Sequence, residues 1–335
     1  MRIGIVGTGN MASLHASILS RLERVRLTAL VGSGPGRAGP LAEKYDARGC
    51  DCLEDLLEGG LVDAVDICSP SNLHAEQAIL SFAAGKHVLC EKPIALTVAD
   101  CDRMIEKAQA AGVKFMVGHT TRFWPEYVAI QRILAEGRVG APQAYYACRL
   151  ASTPLWRKWF AQGSSALYDL LIHDVDLFNC YFGKPKEVAA AIGKKGEGYD
   201  GWNHVQVALL SHTNVIGQIE VSYLMPRCFP VTFESRVLCE HGALEYRFQR
   251  RRLADGRYGF ETVHHALKMY PTDGEPSDIA YQQVDAYEEE LSYFVKCVQN
   301  DTPPALGSPE QAREALTVVE LVQTLLDSGT VKRDG

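Results

Sequence analysis

Long apolar runs are missing from this chain of 335 residues. No stretch approaches the ~20 apolar residues that a helix needs to cross a bilayer. The short apolar segment at the start, Met1 to Gly7, is interrupted by glycines and reads as a first strand rather than a leader peptide. An excess of positive charge is missing too. Lys and Arg number 34 against 41 Asp and Glu, a net charge of -7, which excludes a surface built to hold nucleic acid. Cysteine is plentiful at 10, but no Cys-x-x-Cys pair occurs. Cys50 and Cys52 are the closest, and they point to opposite sides of an extended segment. Cys68, Cys90 and Cys297 sit among apolar neighbours. The expectation is reduced core cysteines in a cytoplasmic protein, not a disulfide framework or a zinc site. Internal repeats and low-complexity segments are absent. What remains is an ordinary globular composition, 22% charged and 47% hydrophobic, with the length for two domains.

The first 120 residues alternate strand and helix. Residues 2–6 form an apolar strand, followed by Gly7-Thr8-Gly9-Asn10-Met11-Ala12 and a helix reaching about Arg21. This is G-x-G-x-x-A at the head of a βαβ pattern, a dinucleotide-binding turn. Gly7 makes the turn, Gly9 admits a pyrophosphate to the backbone, and Ala12 lets helix and strand pack closely. Free N–H groups at the helix start, with Asn10 and Met11, face the phosphates. The second strand, 26–31, ends without the acidic residue that reads a ribose 2′-OH. Ser33 and Arg37 stand there instead, which suits a 2′-phosphate and favours NADP over NAD. Helices are expected at 37–45, 52–58 and 74–84, and strands at 48–50 and 62–68. Ser71 is placed to cap the helix that begins near His74. The loop from Ser69 through Asn72 to His74 is expected beside the ligand. A fifth strand carries Val88-Leu89-Cys90 into Glu91-Lys92-Pro93. Ligands of open α/β sheets bind outside the carboxyl ends of the strands, so Glu91 and Lys92 are candidates to face a cofactor. Thr97 and Asp100 cap the next helix, Gly112 ends it, and 114–117 is the sixth strand.

The second half reads differently. A helix from Phe123 to about Glu136 leads to a strand at 144–150. A loop with Trp156, Arg157 and Trp159 follows, then a helix over 164–182. On that helix Asp169, His173 and Asp176 share one stripe opposite an apolar face, while Asp174 falls inside the apolar arc without an explanation. His173 and Asp176 make only two ligands, so no metal is expected. Strands near 186–192, 203–211, 215–223, 231–240 and 243–248 indicate an antiparallel sheet. Residues 251–282 are polar and read as irregular. Helices at 284–299 and from Ser308 complete the chain.

The turn at 7–12, Ser69-Pro70-Ser71-Asn72-Leu73-His74, Ala84 to Pro93, Gly163 to Asp169 with His173, and Glu240-His241-Gly242-Ala243-Leu244 together resemble the glucose–fructose oxidoreductase/inositol dehydrogenase family, Gfo/Idh/MocA. The resemblance runs over nearly the whole chain. It implies an α/β fold: a Rossmann dinucleotide-binding domain at 1–120 and an α+β domain at 121–335. The latter carries a large, mostly antiparallel sheet for substrate binding and homo-oligomerisation, as a dimer or tetramer. It also implies catalytic roles for Lys92, Asp169 and His173, often with a cis peptide before Pro93. Arg122, Trp156, Arg157, Asp169 and His173 are the expected substrate contacts. Two departures stand out: Gly163-Ser164-Ser165 replaces a run of three glycines, and the second strand lacks its acid.

The expected reaction is hydride transfer between NADP, or NAD, and a secondary alcohol or ketone of a sugar, polyol or cyclitol. A base must reach the hydroxyl at ~2.6–3.2 Å, and Lys92 and His173 share that expectation, oriented by Asp169. An ordinary lysine titrates near ~10.4 and serves as a base only when burial and a neighbouring positive charge favour its neutral form. Two rivals remain open here: a redox-neutral, cofactor-retaining glycosidase, and a non-catalytic dinucleotide sensor.

Overall fold

The computed structural model describes residues 1–34, 36–152, 165–196, 201–252 and 260–329. They form two compact units: 1–123 with 284–316, and 124–283 with 317–335. The sequence assigns everything after 120 to a second domain. In the structure, residues 284–316 return to the first unit.

In the first unit the strands are β1 Arg2–Val6, β2 Arg26–Val31, β3 Arg48–Cys50, β4 Ala64–Ile67, β5 His87–Glu91 and β6 Phe115–Gly118. All pair in parallel, in the order β3-β2-β1-β4-β5-β6. This is the doubly wound dinucleotide-binding order. Strands β4 and β6 are buried along their whole length and β5 nearly so, as parallel strands covered on both faces must be. The helices α1 Asn10–Leu19, α2 Gly39–Lys44, α3 Leu53–Leu57, α4 His74–Ala83 and α5 Val98–Ala111 alternate with the strands. Thr97 caps α5 through the Asp100 N–H, and Gly112 ends it at φ 65°. Ser71 does not cap α4. It opens a 3-10 turn at Ser71–Leu73, and Leu73 stands at the cap without a side-chain bond.

Helix α8, Ala286–Gln299, is capped by Asp285 and buries Leu291, Phe294 and Val295. Helix α9, Pro309–Ser328, starts with the expected capping box: Ser308 Oγ accepts from the Gln311 N–H, and Gln311 Oε1 from the Ser308 N–H.

In the second unit α6, Pro125–Ala135, precedes β7, Pro142–Ser152. The helix α7, Ile172–Phe182, is preceded by a π-helical segment, Leu167–Leu171. The remaining strands are β8 Pro185–Lys194, β9 His204–Ser211, β10 Ile216–Met225, β11 Val231–Cys239, β12 Gly242–Arg252, β13 Phe260–Pro271 and β14 Ser277–Asp278. The eight strands order as β14-β13-β12-β11-β7-β10-β9-β8, antiparallel except for β7 beside β10. One face packs on helices: Tyr145 of β7 meets Phe178 and Phe182 edge-on. The stretch read as irregular contains β13, a 12-residue strand. Most of its residues stay exposed or half-exposed, so hydrophobic alternation never marks it. It is held instead by its ladder to β12.

None of the ten cysteines is in a disulfide; Cys50 is buried and Cys52 exposed. Among the described residues no helix is long and apolar enough to cross a membrane.

Candidate active site

The first unit supplies a dinucleotide cradle. Gly7 has φ +124°, and a Cβ there would lie 2.6 Å from the Cys68 carbonyl oxygen; only glycine fits this turn. Beside Gly9 the space is open. Helix α1 starts with Gly9 at its cap and no side chain on its first N–H groups, and Asn10 is exposed there. Met11 is half-buried. These features fit a pyrophosphate. At the end of β2, Gly32 packs so closely that an added Cβ would lie 2.6 Å from Arg37 Cβ. Ser33 and Arg37 are both exposed at this turn, where the Gly36 N–H donates to Asp51 Oδ1 at 2.9 Å.

Further along the same strand ends, Ser69 Oγ donates to Gln77 Oε1 at 2.5 Å, and Asn72 is exposed. His74 is buried. Its Nδ1 lies 2.8 Å from the Pro93 carbonyl and its Nε2 2.9 Å from the Ser69 carbonyl. Burial holds this imidazole below its ordinary pKa despite the two carbonyls. It therefore braces the Ser69 loop against the turn after β5, and any influence on a cofactor passes through those two loops. Glu91, buried, ends β5. Lys92 follows, half-buried, and its peptide to Pro93 is cis. Arg122 is buried in a 3-10 turn, Thr120–Phe123, just past β6.

A charged cluster lies behind this turn. His15 of α1 is fully buried, with Nδ1 2.9 Å from Asp66 Oδ2 and Nε2 3.3 Å from Glu91 Oε1. Burial works against its positive charge, but Asp66 and the Cys68 thiol outweigh that and hold its pKa well above the ordinary value. Glu91 shows the mirror balance: burial raises its pKa, while His15 and then Lys92 lower it further, and the net is a lowered value. Glu290 of α8 is pushed up to about 8 by burial and by Glu91. His15, Asp66 and Cys68 also place metal-ligand atom types within 4.8 Å of one another. Hydrogen bonds among the three engage those atoms.

In the second unit, Asp169 sits in the π-helical segment and His173 in the first turn of α7, both half-buried. The Tyr223 hydroxyl on β10 donates to Asp169 Oδ2. Burial and then Asp169 hold Tyr223 protonated, with a pKa well above the ordinary value. Asp176 is completely buried. Asp174, the unexplained acid of the apolar arc, pairs with Arg149 Nε of β7 at 2.9 Å. The Arg149 guanidinium also lies 4.9 Å from the Phe233 ring centre. Trp156 and Arg157, with Trp159, Gly163 and Ser164, lie outside the described residues.

Comparison with known proteins fits this geometry. The family described as "Oxidoreductase family, NAD-binding Rossmann fold" matches residues 1–119, and "GFO/IDH/MocA C-terminal domain" matches 127–245. The chain belongs to the Gfo/Idh/MocA oxidoreductase family. It is an NAD(P)-dependent dehydrogenase or reductase acting on CH–OH groups. It is 28% identical to a myo-inositol 2-dehydrogenase of Thermotoga maritima, covering 99% of this chain and 98% of that one. It is 31% identical to a scyllo-inositol 2-dehydrogenase (NADP(+)) of Bacillus subtilis, covering 64% and 70%. Its fold superposes on a UDP-N-acetylglucosamine 3-dehydrogenase of Acidithiobacillus ferrooxidans with a TM-score of 0.82, at 22% identity and 98% coverage of both chains.

Sequence reasoning about this Gfo/Idh/MocA protein missed His15, Tyr223 and Arg149. His15 sits on α1 at a spacing that suits a core residue, and nothing local signals two carboxylates 51 and 76 positions away. Tyr223 and Arg149 lie on strands, where a residue's partner is decided by sheet register and helix packing.

Proposed function

We propose that the protein transfers hydride between NADP and a secondary alcohol, or the matching ketone, of a cyclitol, polyol or sugar, with Lys92 and His173 as the acid/base groups. The observation that carries this is Lys92 leaving the carboxyl end of β5 in a sheet whose β1 turn is shaped for a dinucleotide. Similarity to a myo-inositol 2-dehydrogenase over the length of both chains supports a cyclitol or related ring as substrate. The cofactor's nicotinamide, when bound, accepts or returns the hydride. This chain's own part is to bind, orient and move one proton. Gly7, Gly9, Asn10 and Met11 receive the pyrophosphate, Ser33 and Arg37 the 2′-phosphate, and Ser69, Asn72, His74 and Glu91 shape the walls. Lys92 or His173 takes the hydroxyl proton as the carbon is oxidised and returns it in the reverse direction. Tyr223, donating to Asp169 Oδ2, keeps that carboxylate aimed. Arg122, Trp156 and Arg157 contribute to substrate binding.

The test is fluorescence titration with NADPH and NADH, then nicotinamide absorbance against an inositol, polyol and sugar panel. Lys92→Ala is expected to bind NADPH like wild type and to lose ~10²-fold or more in turnover; turnover near wild type sinks the role. Net NADPH formation distinguishes the proposal from a redox-neutral glycosidase, which accumulates none. Arg37→Ala is expected to weaken NADPH by ~10- to 100-fold and NADH little, the worth of a charge-assisted phosphate contact.

The open face of the eight-stranded sheet supports self-association. Ile216 and Leu238 are 62% and 48% exposed there, beside Ala144 in register with both. The proposed assembly is a homodimer or homotetramer through this face.

A further inference from the structure

The buried charge behind Lys92 has no part in the proton transfer just described. Its geometry is nonetheless directional. Asp66 on β4 and Glu91 on the neighbouring β5 each carry a carboxylate, and His15 of α1 lies between them with one ring nitrogen on each. Nδ1 is hydrogen-bonded to Asp66 Oδ2 at 2.9 Å, and Nε2 stands at ion-pair distance, 3.3 Å, from Glu91 Oε1. The second oxygen of Glu91, Oε2, accepts from the backbone N–H of Lys92 at 3.2 Å. So the line Asp66–His15–Glu91 ends on the peptide from which Lys92 departs.

The surroundings keep that line closed. Cys68 Sγ lies 3.4 Å from both His15 Nδ1 and Asp66 Oδ1. The Tyr287 ring of α8 covers His15, with centres 6.5 Å apart. Glu290, also of α8, is completely buried and accepts from Thr120 Oγ1 at 2.8 Å. His74 fixes the far side of the Lys92 turn through the Pro93 carbonyl. The backbone is therefore tied to a buried histidine on both sides of Lys92, at its own N–H through Glu91 and one residue further on at the Pro93 carbonyl.

We propose that His15, held between Asp66 and Glu91, is the positioning residue for Lys92. Without it, two buried carboxylates face each other with no cation between them. Glu91 must then take a proton or turn away, and either change loosens its hold on the Lys92 N–H. The functional half of this proposal rests on the acid/base reading of Lys92; the geometric half does not.

The experiment pairs kinetics with structure. His15→Gln is expected to bind NADPH within ~3-fold of wild type and to lower kcat by ~10- to 100-fold with KM little changed, the cost of a misplaced reacting group. In a Lys92→Ala background the same substitution is expected to lower kcat no further. An unchanged kcat in the single variant, or an equal extra loss in the double variant, overturns the proposal. If His15→Gln does not fold, Asp66→Asn removes the rear carboxylate with less disturbance and is carried through the same cycle. A crystal structure of the variant that folds is expected to show Glu91 and Lys92 displaced. Both residues in wild-type positions overturn the proposal whatever the substrate. A wild-type protein that oxidises nothing in the panel strikes the reading of Lys92 as acid/base, and the crystal structure still decides the positioning role.

Discussion

Glu290 shows at the single-residue scale how a structure turns an ordinary side chain into a titrating one. In the sequence it is one of three consecutive glutamates opening α8, the mark of a solvated first turn. In the structure it is completely buried, and its folded pKa of about 8 stands above its ordinary value of 4.5. The folded state thus binds a proton that the unfolded chain has already released. Its contribution is fully present below about pH 4.5 and is lost as pH rises through about 8, at ~1.4 kcal/mol per pH unit at most. Glu290→Gln is expected to flatten that dependence. Its thermal midpoint should exceed the wild type's at pH 8.5 and approach it near pH 5, and parallel curves at every pH would contradict the assignment. The Arg149–Asp174 pair makes a second case. Both side chains are at most 4% exposed, and burial raises the Asp174 pKa even with Arg149 beside it. Arg149→Met alone is expected to cost ~3–5 kcal/mol in urea unfolding, and Arg149→Met with Asp174→Leu to recover most of it.

At the scale of elements, the caps follow local chemistry and were legible. Thr97→Ala removes the side-chain oxygen that accepts the Asp100 N–H. It is expected to cost ~1 kcal/mol by chemical denaturation without changing NADPH affinity. Ser308 and Gln311 at α9 are equally local. The helix carrying Asp169 and His173 was legible only as a helix. Its Leu167–Leu171 segment is π, with the Ile172 N–H reaching the Leu167 carbonyl. The wider turn resets the angular phase on which a stripe of Asp169, His173 and Asp176 depends. It shifts Asp169 against His173; Asp176, further along the regular helix, is buried while Asp169 and His173 stay half-exposed. Strand β13 was invisible for the opposite reason: its stability comes from hydrogen bonds to β12, which leave no hydrophobic period behind.

For the whole molecule, the first parallel sheet was readable strand by strand, because buried parallel strands are apolar runs separated by helices with their own caps. The return of 284–316 to the first unit was not. An amphipathic helix states that it has a buried face, not which surface covers it. The open face of the eight-stranded sheet leads to a prediction at this scale. Leu238→Glu with Ile216→Glu is expected to shift light-scattering mass toward the monomer with the far-UV spectrum intact, and an unchanged mass would remove this face as the interface.

The sequence by itself determined the dinucleotide turn, the strand that delivers Lys92 and the family, since each is written in residues adjacent along the chain. Tertiary structure alone decided that His15 joins Asp66 to Glu91, that Tyr223 serves Asp169, and that Arg149 answers Asp174. A buried charge is stable only beside its partner, and which partner arrives depends on how the sheet orders its strands and which helix covers them.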